Sequence, residues 1–200
     1  WLRLRDEIGV KVVFLPVTKD YYLDYQSFVE TRLIASLQGE MKRIKLVALT
    51  HASNVLGTIN PIKKIISFFK KQNSDVKVLV DAAQSVPHFP VSVKELGCDF
   101  LAFSSHKMFG PSGVGVLWAK KELLENMNPL LVGSHMIKKV TKERATWADV
   151  PERFESGTRH IEGVIGLGAA VDYLQKIGFD TIQKHEQGLV AYALKMFTRQ

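Results

Sequence analysis

Reactive side chains directly follow short apolar runs in three places: THASNVLG after Ile44–Leu49, DAAQS after Val76–Val80, and SSHKMFGPSGVG after Phe100–Phe103. Lys107 is the sharpest of these. A lysine behind an apolar strand, flanked by Ser104, Ser105, His106 and a glycine-rich loop, sits where partial burial lowers the pKa of its amine and makes it a nucleophile toward carbonyls. That chemistry yields a Schiff base; the plainer reading is a surface lysine with its stem on the protein and its charge in water. Asp81 ends an almost wholly apolar run, where a carboxylate needs a cation or several donors, unless it merely caps the following turn. Gln84 projects from the same turn or is an ordinary turn residue, and His106 donates to an anion, stacks on a ring or is structural. The run GPSGVG matches neither GxGxxG nor GxxxxGK[ST], so a nucleotide pocket has little support. Its glycines let the backbone turn sharply and pass close to a ligand.

Together these residues suit pyridoxal 5'-phosphate. Its aldehyde answers Lys107, its ring nitrogen shares a proton with Asp81, and its phosphate answers Ser104 and His106. With Asp81 keeping the nitrogen protonated, the ring can absorb carbanion charge at a substrate Cα.

Apolar runs alternating with helical patterns predict βαβ units and a parallel sheet buried on both faces. The expected strands are Val12–Leu15, Ile44–Leu49, Val76–Val80, Phe100–Phe103 and Val114–Trp118. Ligands bind such sheets outside the carboxyl ends of the strands, so the three reactive segments face one crevice. The clearest helix has Asn60 as N-cap, Pro61 at its first position, and Ile62, Ile65, Ile66 and Phe69 on one face. Others are expected over Tyr25–Leu37, Val91–Leu96 with Gly97 as its stop, Ile161–Ile177, and from Asp180 onward. Gly163, Gly166 and Gly168 weaken the Ile161–Ile177 helix but permit close approach of another backbone. Asn128–His160 reads as a long loop, and Gly178 as a hinge or domain boundary.

Composition narrows the class. A 200-residue chain that is 46% apolar and 24% charged has the profile of a soluble globular protein. The 27 Lys+Arg against 20 Asp+Glu leave a net charge of +7, but the excess is scattered in pairs such as Lys63/Lys64 and Lys138/Lys139. Without clustering or interleaved aromatics, nucleic acid is not an expected partner. One cysteine, Cys98, permits no internal disulfide, and no apolar run reaches membrane-spanning length, which together imply no membrane association and a reducing, cytoplasmic setting. The start at Trp1, with no methionine, reads as an excerpt of a longer protein.

The segments THASNVLGTINP, VLVDAAQSVPHFPVSVKELGCDF, FSSHKMFGPSGVGVLW and RFESGTRHIEGVIGLGAA resemble the class V aminotransferase group, most closely the SufS-type cysteine desulfurases. The resemblance implies an α/β architecture, the type I PLP-dependent transferase fold. Its large domain has a mainly parallel mixed sheet flanked by helices, here truncated. Residues 1–178 would be part of that cofactor-binding domain, and 179–200 a linking helix toward a C-terminal small domain. The resemblance makes Lys107 the lysine that forms the imine, Asp81 the partner of the ring nitrogen and Gln84 a contact of the ring hydroxyl. Ser104 and His106 become phosphate ligands, Asn54 a cofactor or substrate contact, and Thr158 a phosphate ligand donated across a homodimer. It implies that L-cysteine, or L-selenocysteine, loses its sulfur to an enzyme persulfide on a cysteine outside this chain. Alanine leaves, and a sulfur-acceptor protein carries sulfur toward iron–sulfur cluster assembly. Cys98 reads as structural, Arg159 stands where the family often has proline, and His51 has no assigned role. Another class V enzyme, such as an aminotransferase or selenocysteine lyase, is the nearest rival; a non-catalytic scaffold module is the rival from a different class.

Overall fold

The computed structural model describes residues 1–27 and 41–198. Strands β1 (Leu46–Thr50), β2 (Lys77–Asp81) and β3 (Phe100–Ser104) run parallel, and β4 (Gly115–Ala119) closes the sheet antiparallel to β3 in the order β1-β2-β3-β4. Between them lie α2 (Ile62–Gln72) and the short α3 (Val93–Leu96). A first helix, α1 (Leu2–Ile8), precedes β1, and α4 (Lys121–Glu125) follows β4. The strands before the reactive segments form where apolar runs predict them, within two residues at each end.

Register decides which face is core. Leu49 pairs with Val80, Val80 with Leu101 and Leu101 with Trp118, forming a row of apolar side chains across the sheet. With Val47 and Val78 they pack against Ile62, Ile65, Ile66 and Phe69 of α2, all buried. Burying one such side chain stabilises by about 1.5–3 kcal/mol, so this stripe dominates the local energetics. Truncating Ile65, fully buried at its centre, would cost about 2–5 kcal/mol. The other face differs from expectation: Leu46 is 41% and Leu117 56% exposed, so among the described residues the sheet is covered on one side.

Several local expectations are corrected. Val12–Leu15 is not a strand; Phe14 is 67% exposed, and the nearest ladder contact is the isolated bridge Val17↔Leu23. A strand needs a neighbour for its N–H and C=O groups, and among the described residues none runs beside this segment. Asn60 does not cap α2, whose N-cap is Pro61. Its buried side-chain amide instead donates to Thr50 O (2.9 Å) and accepts from Leu23 N (3.1 Å), strapping the N-terminal arm to the end of β1. The expected loop Asn128–His160 contains an antiparallel hairpin, β5 (Ile137–Val140) with β6 (Ala145–Trp147). No residue of β5 is buried, so apolar alternation could not reveal it; Thr141 Oγ1 closes its turn by accepting from Glu143 N and Arg144 N. Most of the helix expected over Tyr25–Leu37 lies outside the described residues.

Two long helices follow, α5 (Ile161–Ile177) and α6 (Phe179–Phe197), joined at Gly178 with φ 82°. No residue of α6 is buried, yet Glu186 Oε1 meets His88 Nδ1 at 2.6 Å and ties α6 to the β2–α3 loop.

At the amino end of β3, Asp99 is 2% exposed and fully engaged. It accepts from Val78 N (2.9 Å) and pairs with Lys70 (3.0 Å) and Lys120 (2.7 Å). Burial pushes its carboxyl up, but the hydrogen bonds from Lys120, Lys70 and Val78 outweigh that and hold it below the ordinary 3.8. Neighbouring Cys98 is buried, and burial pushes its thiol up, away from the thiolate needed for reactivity.

Candidate active site

The register that buries Leu49, Val80 and Leu101 sends Thr50, Asp81, Ala102 and Ser104 to the uncovered face, because side chains alternate along a strand. Thr50 pairs with Asp81 and Asp81 with Ala102. The strand ends are stitched as well: His51 N donates to Asp81 O (2.9 Å), and Ala82 N to Ala102 O (2.8 Å). Strand spacing and rise then put the Cα atoms of Asp81 and Ser104 about 8 Å apart. A flat ring between a carboxylate at one strand end and hydroxyl, imidazole and amine groups at the next fits that interval.

Asp81 is exposed, and its Oδ1 accepts from Ala83 N at 3.0 Å. It therefore caps its turn and still presents a carboxylate that, among the described residues, no cation meets. Gln84 follows, half-buried, in a turn held by Ser85 donating to Ala82 O.

Ser105–Lys107 form one 3-10 turn directly after β3. Ser105 closes it from both sides: its N donates to Val114 O (3.0 Å), and its O accepts from Met108 N (2.9 Å) and Gly110 N (3.1 Å). Ser104 is half-buried; His106 and Lys107 are exposed. The partial burial expected to activate the Lys107 amine is thus not supplied by the described residues. Ser105 is fully buried and its Oγ has no partner among the described residues. Gly110 is required beside it, since a Cβ there would overlap that hydroxyl. Phe109 carries a left-handed backbone (φ 65°), a strain that residue type alone does not reveal.

Asn54 lies exposed in the turn beyond β1, where Ser53 Oγ accepts from Val55 N and Leu56 N. Thr158 is placed elsewhere, lining a shallow depression of about 280 Å³ with His135, Arg159 and Ile161. Arg159 pairs through Nε with Glu155 at 2.6 Å. The structure therefore brings Asp81, Ser104, His106 and Lys107 to adjoining strand ends, and leaves Thr158 in its own recess.

His51, without a role from sequence, is 7% exposed, with Nδ1 buried and without a hydrogen-bond partner among the described residues. Its ring stands edge-on to Phe89, with centroids 5.2 Å apart. Burial lowers its pKa from the ordinary 6.5 and favours the neutral ring beside Asp81. Its position one residue past a strand end was the available signal.

The Aminotransferase class-V family model matches residues 1–199. A probable cysteine desulfurase of Halalkalibacterium halodurans is 45% identical over 194 residues, covering 97% of this chain and 45% of the relative. A cysteine desulfurase of Dickeya dadantii is 47% identical over 195 residues, again 97% of this chain and 45% of the relative. The crystal structure of the Escherichia coli cysteine desulfurase CsdA superposes with a TM-score of 0.89 at 34% identity, covering 100% of this chain and 48% of that one. A C-DES K223A variant with glycine covalently linked to its PLP cofactor gives 0.72 at 29% identity, over 88% of this chain and 46% of that one. The chain spans about half the length of the curated relatives it matches.

Proposed function

The chain belongs to the class-V aminotransferase family, and on that premise we propose that it is the cofactor-binding part of a pyridoxal-phosphate-dependent cysteine desulfurase. The observation that carries the reading is Asp81 and Ser104 on the same open face at neighbouring strand ends, with the exposed His106 and Lys107 in the turn that follows directly. The donor set fits the group: a carboxylate that no cation meets among the described residues for a ring nitrogen, a hydroxyl and an imidazole for a phosphate, and an accessible amine for a carbonyl. When bound, pyridoxal phosphate supplies an electrophilic carbon and an electron sink for negative charge at a substrate Cα. Asp81 holds the proton on the ring nitrogen, and Gln84 contacts the ring hydroxyl. Ser104 Oγ and His106 orient the phosphate, joined by Thr158 from a second copy of the chain in a homodimer. Asn54 borders the cofactor or the substrate. The Lys107 amine anchors the cofactor and then moves the Cα proton.

The substrate is L-cysteine, or L-selenocysteine. Its sulfur passes to a thiolate outside this chain as a persulfide, with alanine leaving, and then to an acceptor protein for iron–sulfur cluster assembly. Cys98 has no part in that transfer; burial and a raised thiol pKa support its exclusion. A cytoplasmic setting is proposed on the same reduced cysteine. Among the described residues no helix is long and apolar enough to cross a membrane. Residues 1–178 are assigned to the cofactor-binding domain and 179–200 to the helix leading onward, a division supported by Gly178 and by an α6 that buries nothing.

The test uses full-length protein loaded with pyridoxal phosphate. A visible absorption band abolished by Lys107→Ala, with alanine and sulfide appearing together when L-cysteine and a reductant are added, is expected. A band unaffected by Lys107→Ala would overturn the assignment, and release of a keto acid without sulfide would redirect it to an aminotransferase.

A further inference from the structure

The turn carrying Lys107 is gripped from outside the sheet. Beyond Lys107 the chain runs back along α5 and meets it at successive points. Phe109 stands edge-on to Tyr173 with centroids 5.8 Å apart. Pro111 packs on Gly166 and Val114 on Gly163: a Cβ built on Gly166 would lie 2.5 Å from Pro111 Cγ and 3.0 Å from its Cδ, and one on Gly163 2.5 Å from Val114 Cγ2. Carbon atoms in contact keep about 3.5–4.0 Å, so Gly166 does not admit even alanine unless the Pro111 ring moves, and at Gly163 the side chains of Val114 and His160, the latter 2.6 Å away, would both have to give. Gly168 of the same helix is different, because a Cβ there meets nothing within 4 Å. Glycine in a helix interior costs about 1 kcal/mol relative to alanine, and contact with the lysine loop alone accounts for that cost at 166.

A proline ring cannot swing aside as a flexible side chain would. Displacing Pro111 shifts the backbone between Gly110 and Val114, and both residues close the Lys107 turn through their bonds to Ser105. Phe109, already left-handed, leaves that segment little slack. We propose that Gly166 is a positioning residue for Lys107, acting through Pro111: its missing side chain is the space into which the lysine loop seats. This rests on Lys107 being the cofactor-bearing amine, and one arm of the test is independent of that reading.

Full-length wild type is compared with Gly166→Ala, Pro111→Ala, the double variant and Gly168→Ala. Hydrogen exchange of the Met108–Val114 amides is read in cofactor-free protein, and the pH midpoint of the visible band and turnover in loaded protein. Gly166→Ala is expected to speed exchange about 10-fold, move the midpoint and lower turnover roughly 10- to 100-fold, the scale of a small misplacement of a reacting group. Gly168→Ala should match wild type, and the double variant should return to within about 3-fold of Pro111→Ala alone, since the ring that the new methyl strikes is gone. The proposal is overturned if Gly166→Ala behaves as Gly168→Ala does, or if removing the Pro111 ring fails to restore the double variant. Should Gly166→Ala not fold, the double variant decides: folded with the midpoint of Pro111→Ala it supports the proposal, and otherwise it overturns it. A wild type without the visible band would defeat the functional reading, while the exchange comparison would still decide whether Gly166 seats the loop.

Discussion

Asp81 and Asp99 are carboxylates of one sheet at opposite ends of parallel neighbours, and their surroundings are opposite in kind. Asp99 is buried with two lysines and a backbone N–H on its oxygens. Asp81 is exposed, with one N–H from its own turn. A charge at the amino end that is satisfied from within the chain serves the fold. A charge at the carboxyl end left with spare acceptor capacity is available to something outside it, the role proposed for Asp81.

Exchanging the roles of these carboxylates is the most direct way to break the contrast. Asp81→Asn in full-length protein should lower turnover roughly 100- to 1,000-fold, the loss typical of a removed electrostatic stabiliser, with the melting temperature nearly unchanged. A large fall in melting temperature would place Asp81 with Asp99 instead. Asp99→Ala should do the reverse, costing about 2–4 kcal/mol in urea unfolding because Val78 N loses its acceptor. Lys70 and Lys120, partly exposed, can turn to water, which keeps the cost below that of a fully enclosed pair. The pH dependence sharpens the point. A carboxyl depressed in the folded state contributes stability that is complete above its unfolded value of 3.8 and is lost as pH falls through the lower folded value. The gap between wild type and Asp99→Ala should therefore close below about pH 4.

His51 gives a smaller effect. Its folded pKa lies below 6.5, so the unfolded chain takes up the proton first, and stability present above pH 6.5 declines as pH falls toward the folded value. His51→Phe should remove that decline, so its unfolding midpoint should fall less than that of the wild type between pH 7 and 5. The smallest change belongs to Glu186→Gln, which weakens a half-exposed pair with His88 and should cost under about 1 kcal/mol in thermal unfolding.

What the sequence made legible follows from which interactions are local or periodic. The α2 stripe at Ile62, Ile65, Ile66 and Phe69 is periodic, and so were the apolar runs that became β1, β2, β3 and β4. The reactive segments could be placed because strand ends follow directly from strands. Hairpin β5–β6 stayed hidden because it is exposed throughout β5 and held by Thr141, a polar turn device without apolar rhythm. Asn60 reads as a cap by residue type, but its amide is taken by Leu23 and Thr50, 37 and 10 residues away in sequence. No local rule gives such partners. The exposure of Lys107 was equally unreadable, because burial is set by neighbours distant along the chain.

The reach of α6 can be worked out from its length. Nineteen residues at 1.5 Å each make a rod of about 28 Å extending from Gly178. A tilt of about 10° sweeps the tip by about 5 Å, while Glu186, only about 12 Å from Gly178, travels about 2 Å. A 2.6 Å bond to His88 cannot stretch that far and survive. A tilt of that size therefore parts the two side chains, at the cost of under about 1 kcal/mol that a half-exposed pair carries.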